Sequence, residues 1–181
     1  GNVAIVARER VTLGGAVATA LVVSHRVDGA RHFGAIIVPD RLPPGCCAVV
    51  IDLKGIGWNY PALQVPQGLL SPVLLGDRAR QVIFVAPSIR GEVLVVNGRS
   101  WISEGDRTNG FDGGAEDALA LVEVALTLVP EADPARVCAL SGPNLASEIA
   151  AGLPASAVVG ATDDAVGAQV VELLGGRSFR L

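Results

Sequence analysis

Methionine is absent from all 181 residues, even at position 1, so Gly1 reads as a processed or fragment end. Lysine occurs once, at Lys54, and the other basic residues are arginines. Aromatic residues make up only 4% of the chain, so its core has to be aliphatic. Cys46, Cys47 and Cys138 are the only cysteines. Three thiols cannot all pair within one chain, and two of them are adjacent, which points to a reducing, cytoplasmic setting. With two histidines, His25 and His32, and no zinc-type spacing, no metal site is expected. His25 is expected near the end of a first helix, in a surface or structural role. No apolar run reaches the roughly 18 residues of a membrane span. The longest, residues 16–24, is followed by Arg26, and Arg8, Glu9 and Arg10 interrupt any signal peptide. The net charge of −4 gives no basic footprint for nucleic acid.

What remains is 50% hydrophobic and 18% charged, enough for one sizeable core. The apolar segments are short, rich in valine and punctuated by glycine and proline. That pattern predicts an α/β fold with a mostly parallel sheet flanked by helices. Strands are expected at residues 3–7, 11–13, 33–38, 48–53, 81–86, 93–97, 136–140 and 157–161. Helices are expected at 16–24, 115–129, 144–151 and 164–174. In the second of these, Leu119, Val122, Ala125, Leu126 and Val129 recur at helical spacing. Asp163 and Asp164 are placed to cap the last helix.

Two features suggest a nucleotide. The run 10–21 passes from a strand through Gly14-Gly15 into the expected helix, where backbone at Gly14, Gly15, Ala16 and Val17 would meet a pyrophosphate. Leu13 replaces the first glycine of the usual pattern. Asp40, near the end of the next strand, is placed to hold an adenosine ribose, while its neighbour Arg41 would accommodate a 2′-phosphate. NAD and NADP both remain open.

The most specific segment is Ser141-Gly142-Pro143-Asn144-Leu145-Ala146-Ser147-Glu148-Ile149-Ala150-Ala151-Gly152-Leu153-Pro154. It resembles the SGP-x-x-A-x-E-[VI]-A-x-G-x-P stretch of NAD(P)-dependent glycerol-3-phosphate dehydrogenases. Val82–Ser88 is similar to that family's strand ending in A-V-P-S, and 13–21 to its glycine loop. Together, residues 10–24 and 80–181 can be laid on the family's N-terminal domain.

The resemblance implies a single, Rossmann-like dinucleotide-binding domain over 1–181, with the family's helical C-terminal domain lying beyond it. Ala146 would touch the nicotinamide cofactor, and Gly142 and Asn144 the glycerol phosphate. It implies hydride transfer between the cofactor and dihydroxyacetone phosphate or sn-glycerol 3-phosphate, a small-molecule phosphate substrate. A second domain, or a second copy of the chain, would complete it. The family's Lys-Gly-Ile/Leu-Glu motif has Glu104 at its expected place in chain order. Lys54-Gly55-Ile56 matches the letters but comes too early in the chain, so Lys54 is the catalytic candidate. The alternatives are a non-catalytic nucleotide-binding or scaffold domain, and a related dehydrogenase sharing only the fold.

Overall fold

The computed structural model describes residues 3–13, 15–42, 47–53, 62–69, 72, 75–109, 112–141, 153–156, 158–161, 163–176 and 179–180. In chain order the strands begin with β1 (Ala4–Leu13), β2 (Ala16–Val27), β3 (Ala30–Pro39), β4 (Cys47–Ile51) and β5 (Ala62–Val65). A 3-10 helix, Gly76–Gln81, leads into β6 (Val82–Ser88), followed by β7 (Val93–Val96) and β8 (Arg99–Ile102). Helix α1 (Asp112–Leu128), β9 (Ala132–Ser141), β10 (Ala155–Ser156), β11 (Val158–Ala161), helix α2 (Asp164–Leu174) and β12 (Phe179–Arg180) complete the order.

A seven-stranded sheet runs β1-β2-β3-β6-β4-β9-β11. The fold is mixed α/β, but the expectation of a mostly parallel sheet is corrected. Within this sheet, among the described residues, only β6/β4 and β4/β9 are parallel neighbours, and the other four pairings are antiparallel. The reason is local. The expected first helix, residues 16–24, is instead the long strand β2, which pairs with β1 through a turn at Gly15 (φ +79°). Val17, Thr19, Val22 and Val23 are β-branched, which favours a pleated strand over a helix. Asp28 and Gly29 both have positive φ and close a two-residue turn into β3. Asn97-Gly98 does the same between β7 and β8.

The sheet is covered differently on its two faces. On one face Val22, Ala35, Ile37 and Phe84 pack against the three-stranded sheet β5-β7-β8 through Leu63, Val65, Leu94 and Val96. Leu174 of α2 joins this core. On the other face Leu21, Val23, Ile36, Ile83 and Val85 meet Leu121, Val122, Val124 and Ala125 of α1. Among the described residues, one face is therefore covered by a helix and the other chiefly by a small sheet.

Helix α1 is rotated from its expected setting. Leu119 is 61% exposed, whereas Ala118, Leu121 and Val124 are buried with Val122, Ala125 and Val129. The buried stripe follows 118, 121, 122 and 125, which is also an i, i+3, i+4 series. Gly34 on β3 fixes the approach, since a Cβ there would lie 2.2 Å from Leu121 Cδ2. Helix α2 begins as expected. The Asp163 carboxylate accepts hydrogen bonds from the amides of Ala165 (2.7 Å) and Val166 (3.3 Å). The expected helix at 144–151 lies outside the described residues.

Candidate functional site

In open sheets with parallel strands, ligands settle beyond the carboxyl ends of those strands. Three neighbouring strands here share one direction, β6, β4 and β9 in that spatial order. Their carboxyl ends are Ser88, Ile51 and Ser141. Chain order and spatial order differ, because β4 precedes β6 in the chain yet lies between β6 and β9 in the sheet. The ladder runs on past Ile51, where the Asp52 amide donates to the Val85 carbonyl (2.9 Å). Asp52 is buried and Leu53 is exposed. Lys54, the next residue, and Gly142, Asn144 and Ala146 beyond Ser141 lie outside the described residues.

The β6 end of this edge is rigidly built. Ser88 is buried, and its hydroxyl donates to the Glu92 carbonyl (3.2 Å). Its carbonyl accepts from the Ser103 hydroxyl (2.8 Å), which itself accepts from the Phe33 amide (3.0 Å). Arg90 follows. Its amide and its Nε donate to Asp117 Oδ2 (2.8 and 3.1 Å), and its NH2 to Asp117 Oδ1 (2.9 Å) and the Gly113 carbonyl (3.0 Å). The carboxylate holds the guanidinium firmly in its charged form. Arg90 and Asp117 thus clamp the start of α1 to the end of β6. The Asp117 side chain is itself buried under α1. The signal for its burial is its place four residues before Leu121, inside the apolar stripe.

The residues assigned to a phosphate loop sit elsewhere. Gly15 is in a hairpin turn, and Ala16 and Val17 begin a strand, with Val17 half exposed. No helix starts there, so the fixed positive end that the sequence reading required is missing. Gly14 lies outside the described residues.

Asp40 follows β3. Because β3 is antiparallel to β6, with Ile37 opposite Phe84, Asp40 lies beyond the amino end of β6, on the opposite edge from Ser88 and Ser141. Its carboxylate takes two bonds from the Arg10 guanidinium, NH1 to Oδ1 at 2.6 Å and NH2 to Oδ2. That pairing holds the carboxyl below its usual range. A groove of about 290 Å3 opens beside it, lined by Arg8, Thr19, Leu21, Val38 and the carboxyl end of α1 from Leu128 to Glu131. A helix carboxyl terminus disfavours anions, so this groove is a poor place for a pyrophosphate. Glu104, which stands where the resembling family has lysine, is bound to Arg31: it accepts from the Arg31 amide (2.7 Å) and lies 3.6 Å from its guanidinium.

His25 was expected near the end of a helix. It lies instead in β2, directly opposite His32 of β3, and both rings are buried. Among the described residues no group of three or more His, Cys, Asp or Glu side chains is arranged to hold a metal ion. No helix among them is long and apolar enough to cross a membrane.

Comparison with known proteins completes the description of the site. Residues 77–167, about half of the chain, match a family described as the NAD-dependent glycerol-3-phosphate dehydrogenase N-terminus. That span contains β6, α1 and β9 but not β4. The chain is also similar to two relatives named glycerol-3-phosphate dehydrogenase [NAD(P)+], from Corynebacterium glutamicum strain R and from a second strain of the species. Each is 58% identical over 36 residues, which cover 20% of this chain and 11% of the relative. The match thus spans about a tenth of the length of these relatives. No solved structure matches the chain.

Proposed function

The chain belongs to the NAD-dependent glycerol-3-phosphate dehydrogenase N-terminus family, and from that premise we propose that it is a Rossmann-like, nicotinamide-cofactor-binding half of such an enzyme, with its site along the carboxyl ends of β6, β4 and β9. One observation carries this placement. β4, which leads directly to Lys54, lies parallel between the strand ending in Ser88 and the strand ending in Ser141. The lysine motif is out of order in the chain, but its strand is in order in the sheet. Three segments that resemble one family therefore end on one edge.

The edge fits a dinucleotide by its topology and by the small residues, Ala86, Pro87 and Ser88, that end β6. The cofactor, when bound, supplies or accepts the hydride. Gly142 and Asn144 are assigned to the phosphate substrate, dihydroxyacetone phosphate or sn-glycerol 3-phosphate, and Ala146 to the cofactor. Lys54 supplies the cation that stabilises negative charge developing on the carbonyl oxygen as it becomes an alkoxide. Arg90 and Asp117 hold the end of β6 against α1 and so keep the edge in shape. Gly15, Ala16, Val17 and Asp40 lose their part in this assignment, because a hairpin turn and the opposite edge of the sheet serve no pyrophosphate here. NAD and NADP remain alternatives, and turnover is assigned to the chain together with a further, substrate-closing domain. The cysteine usage favours a reducing, cytoplasmic setting.

A second reading, a nucleotide-binding or scaffold domain without turnover, is favoured by the hairpin at Gly15 that stands in for a phosphate loop. Lys54→Ala separates the two. In an assembly competent for turnover, the catalytic reading expects kcat to fall about a hundredfold, the cost of removing one oxyanion-stabilising group, with cofactor affinity unchanged. Undiminished kcat in the variant contradicts the role of Lys54. Cofactor binding with no turnover in any assembly supports the second reading.

A further inference from the structure

Beneath the amino-terminal half of α1 lies a polar cluster that the proposed chemistry does not use. His25 and His32 face each other across the β2–β3 ladder, their ring centroids 6.0 Å apart and their planes tilted by 43°. They share the face of Leu21, Val23 and Ile36, which α1 covers. His25 is 3% exposed and His32 is 2% exposed. Neither ring nitrogen of His25 has a hydrogen-bond partner, and neither does His32 Nδ1. The acceptor closest to hand is Asp117 of α1, whose Oδ1 lies 3.7 Å from His32 Nδ1. Both oxygens of that carboxylate are already taken by Arg90.

We propose that His25 and His32 form an acid-operated latch: as neutral rings they let α1 seat on β2 and β3, and when protonated they lift the amino-terminal half of the helix from the sheet. A neutral imidazole is tolerated in an apolar layer, whereas burial disfavours an imidazolium whose neighbouring carboxylate, Asp117, is already held by Arg90. Two imidazoliums side by side would also repel each other.

Burial, against the surrounding charges, sets the sign. Asp117 and Glu116 of α1, Glu104 beyond β8 and Asp28 in the β2–β3 turn are acids, and the first of these lies closest to the rings. Arg90 opposes them from the end of β6. Glu104 is bound to Arg31, and Arg26 and Arg31 form the next cross-strand pair, on the opposite face. Burial outweighs the acids. It depresses His32, and it lowers His25 from 6.5 to about 4, with His32 adding to the effect. A depressed histidine takes up its proton on opening, so the seated helix is favoured above about pH 6.5 and loses that advantage as the pH falls toward 4. For His25 alone, the opening equilibrium rises about 30-fold between pH 7.5 and pH 5. The latch does not depend on what the carboxyl edge binds.

The test is hydrogen exchange of the full chain from pH 7.5 to 4.5, corrected for intrinsic exchange, with residues 112–121 compared with β6. The expected result is a rise of about 30-fold in opening of 112–121 by pH 5, with β6 following only later. In His25→Phe/His32→Phe that rise disappears. A rise of the same size in the double variant overturns the proposal, as does a wild-type helix whose opening is flat with pH. If the variant does not fold, the His25 ring resonance of the wild-type chain decides. A midpoint near 4 that coincides with helix opening supports the latch. A midpoint near 6.5 with the helix still protected overturns it.

Discussion

Gly34 shows how one residue sets the distance between layers. Its missing side chain lets Leu121 of α1 rest on the backbone of β3. Gly34→Ala would drive a methyl group into Leu121, which has no exposed surface. We expect a loss of about 1–3 kcal/mol in denaturant unfolding, the usual cost of overpacking. Leu121→Val in the same chain should recover part of it, giving a double variant less destabilised than the sum of its parts. Strict additivity would show that the two residues do not press on each other. Asp117 gives the matching lesson for polar residues. An acid in the first turn of a helix is readily assigned to the dipole, and its position in the buried stripe shows only once the helix phase is known.

Among the elements, those with explicit boundary chemistry were legible in the sequence. Helix α2 runs from Asp164 to Leu174 as expected, capped by Asp163 and stopped at Gly175, whose amide bonds the Val171 carbonyl. Asp163→Ala should speed exchange across 164–174 by an amount equivalent to about 1 kcal/mol of local stability. Unchanged exchange there would deny the cap its role. Strand β6 was legible because a pure apolar run ends at Pro87 and Ser88. Residues 16–24 were misread because alanine, valine and threonine satisfy either a buried helix or a buried strand, and periodicity cannot separate the two in so short a run. The deciding signal stood just beyond it, in Asp28-Gly29, a dipeptide suited to the positive φ angles of a tight hairpin. Asn97-Gly98 carried the same message for β7 and β8. Once β2 is a strand, Gly15 becomes a hairpin residue and the pyrophosphate assignment at 14–17 loses its helix.

For the whole molecule, the role proposed for Lys54 rests on sheet order and not on chain order. Lys54-Gly55-Ile56 lies far upstream of the strand that it would follow in a collinear arrangement. Strand β4 nonetheless enters between β6 and β9 and runs parallel to both, which is the arrangement the proposal uses. Linear motif order is therefore a weaker guide than sheet order, and only the pairing of strands reveals it. The same topology separates Asp40 from the Ser141 edge, because antiparallel β3 delivers its carboxyl end to the amino end of β6.

The most direct test of this account is a hydrogen-exchange footprint of the chain saturated with NADH and, separately, with NADPH. A cofactor at the carboxyl edge should protect amides at 51–54, at 88–90 and, Pro143 aside, at 141–146, and leave Leu13, residues 15–17 and Asp40 as they are in the free chain. Protection confined to 13–17 and Asp40, or no protection by either dinucleotide, would contradict a site on the β6–β4–β9 edge.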